Sequence, residues 1–68
     1  MTELGSKTIS GYKVEFDRNE NTSAINAWVK GLGSIWTDYR MDDLEVTVKD
    51  ILKRVRAGED LKAVKNSL

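Results

Sequence analysis

The chain contains no histidine, no cysteine and no proline among its 68 residues. Histidine is the usual proton shuttle near neutral pH, and cysteine and histidine are the usual zinc ligands. Without them, most nucleophilic, acid–base and transition-metal chemistry lacks its ordinary carrier, and disulfide bonds are excluded. We therefore expect a protein that is not an enzyme and that binds no metal ion and no cofactor.

Long apolar runs are also missing. Residues 1–5 show neither the basic segment nor the apolar segment of a signal peptide, and no stretch approaches the roughly 18 apolar residues of a membrane span. The sequence therefore predicts a cytoplasmic protein without a membrane partner. Its length predicts one small domain over residues 1–68, in which the polar residues 1–8 are expected to be flexible.

The chain has no excess of positive or negative charge, because it contains 11 basic and 11 acidic residues. The distribution is uneven, however. Residues 1–46 carry five basic and eight acidic side chains, a net charge of −3, whereas residues 47–68 carry six basic and three acidic ones, a net charge of +3. A balanced chain lacks the overall electrostatic signature of a general nucleic-acid binder, but its C-terminal third has a basic face.

The first half of the chain shows one strand pattern and one helix pattern. Tyr12, Val14 and Phe16 alternate with charged residues, which predicts a half-buried strand. Thr8 and Ile9 can extend this strand, with Gly11 as a bulge or bend. A helix is predicted over residues 23–31, capped by Thr22 or Ser23. Its apolar stripe, at helical spacing, is Ile25, Trp28, Val29 and Leu32.

A second strand is predicted over residues 34–39, followed by a turn over residues 40–43. Leu44, Val46 and Val48 then alternate with polar residues, which favours a third short strand. The alternative is a long helix that begins at Asp42 or Asp43, because helical spacing also fits this region. Both possibilities are open for residues 42–48, and the β-rich residues 45–48 favour the strand.

Helical periodicity is clearest over residues 48–57. Thr47 and Asp50 are spaced as in a capping box, and Gly58 is expected to end this helix. Glu59 and Asp60 are predicted to open a short last helix, because acidic residues are favoured at its positive end. Its apolar stripe is Leu61, Val64 and Leu68.

The predicted fold is therefore α+β, a small antiparallel three-stranded sheet packed against helices, in the order β-α-β-β-α-α. Apolar residues of these elements should form a single core. The predicted core is Tyr12, Val14, Phe16, Ile25, Trp28, Val29, Leu32, Ile35, Leu44, Val46, Val48, Ile51, Leu52, Val55, Leu61 and Val64.

The C-terminal segment carries one resemblance. Residues 46–61, with the Ala57-Gly58-Glu59 corner between two amphipathic stretches, are similar to the first two helices of small winged-helix antitoxin-type domains. Residues 54–59 also resemble the Phd class of antitoxins. The resemblance implies DNA binding, but no third helix that could read DNA follows in these 68 residues.

Aromatic and charged residues around the second predicted strand suggest a protein-binding site. Trp36 and Tyr39 are three apart on a strand and should therefore point to opposite faces, so that both are not core residues. Exposed Trp, Tyr, Met and Arg are favoured at interfaces. The predicted partner-binding residues are Trp36, Tyr39, Arg40, Met41, Asp42 and Asp43.

These features predict a protein-interaction module, such as a small inhibitor or modulator of a larger protein of the kind that phages and mobile elements encode. Asp42 and Asp43 are adjacent and share one environment, so they do not form an acid–base pair with separated pKa values. The alternative function is a nucleic-acid-binding or antitoxin-like regulator, acting as a homodimer. Its predicted contact residues are Lys49, Lys53, Arg56, Lys62 and Lys65.

Overall fold

The structure, a computed structural model, describes residues 2–68. It is an α+β fold in which an antiparallel sheet is followed by two helices. The strands are β1 (Thr2–Ile9), β2 (Tyr12–Arg18), β3 (Ile25–Val29) and β4 (Gly33–Asp38). The helices are α1 (Met41–Arg56) and α2 (Leu61–Asn66).

The four strands pair in sequence order, β1-β2-β3-β4, and every neighbouring pair is antiparallel. The predicted α+β class and antiparallel sheet are thus confirmed. The predicted three strands and the order β-α-β-β-α-α are wrong in detail, because the described residues form four strands in the order β-β-β-β-α-α. Residues 2–8, expected to be flexible, belong to β1, and their mobility stays a prediction.

A tight turn at Ser10 and Gly11 joins β1 to β2. Both residues have positive φ, 52° and 86°, which is the backbone of a two-residue hairpin turn that matches the strand twist. The Arg56 guanidinium lies over this turn and donates a hydrogen bond of 2.9 Å to the Ser10 carbonyl. A Cβ on Gly11 would lie 1.7 Å from Arg56 Nη1 and would displace this guanidinium, and the φ of 86° independently favours glycine at this position.

The predicted helix over residues 23–31 is wrong, because Ile25–Val29 form strand β3. Ile25, Ala27 and Val29 are buried and alternate with partly buried neighbours, which is the period of a strand. Thr22 and Ser23 therefore cap no helix. The Asn19 side chain instead organises the preceding turn, since its Oδ1 accepts the backbone N–H of Asn21 at 2.9 Å and that of Thr22 at 3.3 Å.

The predicted strand over residues 44–48 is also wrong, and the alternative of a long helix is confirmed. Helix α1 begins at Met41, in the segment expected to be a turn, and Thr47 lies inside the helix rather than at its cap. The buried residues of α1 are Leu44, Val48, Ile51 and Leu52. This helical spacing explains why residues 44–48 form a helix and not a strand. A helix places Leu44 and Val48 on the same buried face and Val46 on the opposite, exposed face.

The corner between α1 and α2 follows the sequence prediction. Gly58, with φ of 107°, ends the helix, and the backbone N–H groups of Gly58 and Glu59 donate to the carbonyls of Val55 and Arg54 at 3.0 and 3.1 Å. These two bonds form a Schellman motif. The Asp60 side chain then caps α2 by accepting the backbone N–H of Ala63 at 3.1 Å.

The core lies between the helices and one face of the sheet. Most of the predicted core residues are buried there or pack partly buried against it. Leu32 and Val46 are wrong predictions, since they are 37% and 72% exposed, and Trp28 lies on the other face of the sheet. The buried residues are Ile9, Val14, Phe16, Ile25, Ala27, Val29, Ile35, Leu44, Val48, Ile51, Leu52 and Val64.

Candidate functional site

The residues predicted to bind a partner lie where β4 ends and α1 begins. Asp38 is the last residue of β4 and its side chain accepts the backbone N–H of Tyr39 at 2.7 Å. Arg40 is the N-cap residue of α1 in extended conformation, without a side-chain cap bond. Tyr39 lies in the short connection between the two elements, outside the hydrophobic core, and is 67% exposed.

Exposed residues of this connection and of the first turns of α1 form a surface that we call the corner surface. Val46, 72% exposed, lies on the side of α1 away from its buried stripe. Arg40 Nε and Asp43 Oδ2 are 3.9 Å apart, and both side chains are largely exposed. The corner surface consists of Tyr39, Arg40, Asp42, Asp43 and Val46.

The other two predicted contact residues differ from these in burial. Trp36 and Met41 are partly buried and pack against the hydrophobic core. Trp36 pairs with the buried Ala27 across β3 and β4, so it lies on the helix-covered face of the sheet. These two residues contribute to the core, and the structure brings only part of the predicted set together at the exterior.

Within residues 2–68, no helix covers the second face of the sheet, and the sequence patterns did not predict this face. We call it the open face. Along β2 and β3, its positions alternate with the buried ones and are occupied by polar side chains and Trp28. Asn26 Oδ1 accepts hydrogen bonds from the hydroxyl groups of Ser34 at 2.6 Å and Thr37 at 3.1 Å, which ties β3 to β4 on this face.

A groove of about 400 Å³ lies at the open face beside Trp28. Strand register places Glu15 directly opposite Trp28, and Glu3 directly opposite Asp17. The alternation of Ile25, Ala27 and Val29 could have revealed this face, because it assigns Trp28 to the opposite side from the core. This groove, the acidic groove, is lined by Glu3, Glu15, Phe16, Asp17 and Trp28.

The basic residues predicted to contact nucleic acid are spread over α1 and α2. Lys49, Lys53 and Lys62 are exposed. Arg56 donates to the Ser10 carbonyl, and Lys65 Nζ donates to the carbonyl of Ser34 at 3.0 Å, so these two side chains are engaged within the fold. The structure therefore does not align the five cations as one free row.

The ion pair between Arg54 and Glu59 stabilises the corner between the helices. Arg54 Nη2 lies 2.9 Å from Glu59 Oε1, and Arg54 Nη1 also donates to the Ser67 hydroxyl at 3.2 Å. The hydrogen bond to Arg54 holds the pKa of the Glu59 carboxyl below its ordinary value, and the same bond raises the pKa of Arg54. These charges serve the fold rather than a ligand.

Residues 2–68 contain no group of three or more Asp and Glu side chains arranged to hold a metal ion. Within the same residues, neither helix has the length and apolar character needed to cross a lipid bilayer.

Comparison with known proteins identifies no relative. No family model, no curated protein and no solved structure matches this chain.

Proposed function

We propose that this chain is a non-enzymatic protein-interaction module that docks onto a larger protein as a small inhibitor or modulator. The observation that carries the proposal is the corner surface, where an aromatic side chain and an aliphatic one are exposed beside charged residues. Tyr39 is 67% and Val46 72% exposed, and they are the most exposed of the large hydrophobic side chains in residues 2–68.

The composition of the corner surface is that of a binding site. Tyrosine and arginine are enriched among residues that dominate binding energy, because they supply a large contact area and directed hydrogen bonds. The exposed Arg40–Asp43 pair contributes little to stability, since surface ion pairs are worth about 0–1 kcal/mol. A charged rim around Tyr39 would steer the partner and fix its orientation.

The test is affinity purification from the native host, followed by measurement of Kd with the purified partner. Tyr39→Ala should weaken binding by about 30-fold, which corresponds to about 2 kcal/mol for a residue that dominates an interface. Lys62→Ala, an exposed substitution on α2, is the matched control and should change Kd less than twofold. A partner that binds Tyr39→Ala and wild type equally would contradict the proposal.

The alternative function, a nucleic-acid-binding or antitoxin-like regulator acting as a homodimer, stays a prediction. Its residues Lys49, Lys53 and Lys62 are exposed, but Arg56 and Lys65 are already engaged within the fold. This function predicts an affinity for DNA or RNA that falls steeply with salt. The absence of any mobility shift at low salt would contradict it.

A further inference from the structure

We propose that the open face is a second binding site, independent of the corner surface, in which the acidic groove accepts an arginine side chain from a protein partner. The guanidinium would lie on the ring of Trp28 and form hydrogen bonds with the surrounding carboxylates. Five observations support this assignment: the register of the carboxylates, the lack of a basic side chain lining the groove, the unpaired Asp17 oxygen, the position of Trp28, and the head-to-tail geometry that a second copy of this chain would require.

Strand register concentrates negative charge in the groove. Glu3 and Asp17 are directly opposite each other on β1 and β2, and Glu15 lies on the same face two residues before Asp17. Like charges directly opposite each other across two strands destabilise the sheet. The arrangement is therefore unfavourable for folding alone, and a cation bound between the carboxylates would relieve the repulsion.

Among residues 2–68, no basic side chain lines the groove: Lys13 lies on the same face of β2, two residues before Glu15, but forms no ion pair with these carboxylates. The ion pairs within these residues join Lys7 to Glu45, Arg40 to Asp43 and Arg54 to Glu59, all of them outside the groove.

Asp17 Oδ1 is buried and has no hydrogen-bond partner. Buried polar atoms in folded proteins nearly always have a partner, so an orphaned carboxylate oxygen calls for an explanation. A donor from outside the chain, brought into the groove, would satisfy it.

Trp28 selects the chemical class of the donor. It is partly buried on the open face, opposite Glu15, with its neighbours on β3 buried on the other side of the sheet. A cation over an indole ring is attracted by the negative charge of the ring face, and arginine forms such contacts more often than lysine. Arginine also donates in a planar fork that matches carboxylates, whereas lysine offers a compact point charge. Trp28 and the carboxylates together therefore favour a guanidinium.

A second copy of this chain is a less favourable occupant. The excess of basic residues lies in 47–68, on the helices, whereas the acidic groove lies on the opposite face of the sheet. Contact between the helices of one copy and the groove of another would be head-to-tail, which produces rings or open filaments rather than a closed dimer. An arginine of a different protein has no such constraint.

The experiment uses the full chain, labelled with ¹⁵N, titrated with the peptide acetyl-Gly-Arg-Gly-Arg-Gly-amide and followed by NMR. The same peptide with citrulline in place of arginine keeps the shape and removes the charge, and the lysine version keeps the charge and removes the fork. The Trp28 indole N–H and the backbone amides of Glu15 and Asp17 should shift with the arginine peptide. The lysine peptide should bind more weakly, and the citrulline peptide should not shift them.

A matched pair of variants separates a specific site from general attraction between charges. Glu15→Gln combined with Asp17→Asn should weaken binding of the arginine peptide by about tenfold, as expected for loss of charge-assisted hydrogen bonds. Asp42→Asn combined with Asp43→Asn removes the same charge from the corner surface and should change Kd less than twofold. Unchanged backbone spectra outside the substituted strands would show that both variants are folded.

The proposal is overturned if the two double variants weaken binding equally, if the lysine peptide binds as tightly as the arginine peptide, or if no Trp28 shift occurs. Saturable binding of Mg²⁺ or Ca²⁺ that displaces the arginine peptide would also overturn it, in favour of a metal site. Because Tyr39 takes no part in this test, its result is independent of the proposed function of the corner surface.

Discussion

The two faces of the sheet are built from the same strands but differ in nearly every property. One face carries Val14, Phe16 and Ile35, is covered by both helices and contains the buried core. The open face carries polar side chains, three carboxylates in one groove and the partly buried Trp28. Since side chains alternate along a strand, each residue of β2 and β3 serves one face only, so that stability and recognition can be varied independently.

Charge differs between the faces as well as polarity. On the helix side, charged residues pair with residues of opposite charge. Lys7 of β1 pairs with Glu45 of α1, and Arg54 pairs with Glu59 at the corner between the helices. On the open face Glu3 and Asp17 oppose each other, and neither of them forms an ion pair within residues 2–68. The helix side is therefore organised for folding, and the open face retains charges that a partner can use.

The largest predicted effect uses two valines of α1 that differ only in the side of the helix they occupy. Val48→Ala should lower the free energy of unfolding by about 2 kcal/mol, because it removes buried methyl groups and leaves a cavity. Val46→Ala should change it by less than about 0.5 kcal/mol, because the side chain is exposed. Urea unfolding of both variants measures the difference, and equal losses would show that α1 does not pack as described.

The same two valines show why the sequence left residues 42–48 open. Leu44, Val46 and Val48 fit a strand, and Leu44 and Val48 with Ile51 fit a helix, so short apolar patterns satisfy both periods. Asp42 and Asp43 in the first turn favour a helix start, and the helix extends without a break into the strongly periodic residues 48–57. The continuity of α1, rather than its first seven residues, decides the outcome.

Strand β3 was the harder element to predict. Ile25, Trp28 and Val29 lie at helical spacing. The residue that distinguishes a strand from a helix is Ala27, which is fully buried on the same face as Ile25 and Val29. The burial of Ala27 could not be predicted from the neighbouring sequence, because it depends on the pairing of β3 with β2 and β4. The acidic groove was missed for the same reason, since only the register brings Glu3 next to Asp17.

The corner between the helices, in contrast, depends on local chemistry and is predictable. Gly58 is predicted to end the helix and Glu59-Asp60 to open the last one, and Gly58 and Asp60 occupy those positions, whereas Gly11, predicted as a bulge or bend in one extended strand, lies in a hairpin turn between two strands. The positions of Gly58 and Asp60 require only a backbone conformation or a capping oxygen that the residue itself supplies. The role of Tyr39, Asp42 and Asp43 in partner binding stays a prediction, and their exposure follows from the position at which α1 begins.

A smaller predicted effect concerns acid sensitivity on the helix side. Because the pKa of Glu59 is lowered in the folded state by its hydrogen bond to Arg54, the pair stabilises the protein above the ordinary glutamate pKa of about 4.3. This stabilisation is lost as the pH falls through the lower folded-state value. Glu59→Gln should therefore unfold at a midpoint that depends less on pH in this range.

The measurement is urea unfolding between pH 6 and 3 for wild type and Glu59→Gln. Asp42→Asn, which changes an exposed carboxylate at the corner surface, is the control and should follow the pH dependence of wild type more closely. If Glu59→Gln keeps the full pH dependence of wild type, the Arg54–Glu59 pair does not contribute to stability in solution.

The unfolding free energy of Trp28→Thr tests most directly whether the open face is free of a role in holding the fold together. Threonine suits a strand, so the substitution removes the indole without disfavouring β3. We expect the substitution to lower the free energy of unfolding, measured in urea, by less than about 1 kcal/mol. Truncation of a large aromatic residue in a core costs roughly 3–5 kcal/mol. A loss of about 3 kcal/mol or more would place Trp28 in the core and contradict the division between the two faces.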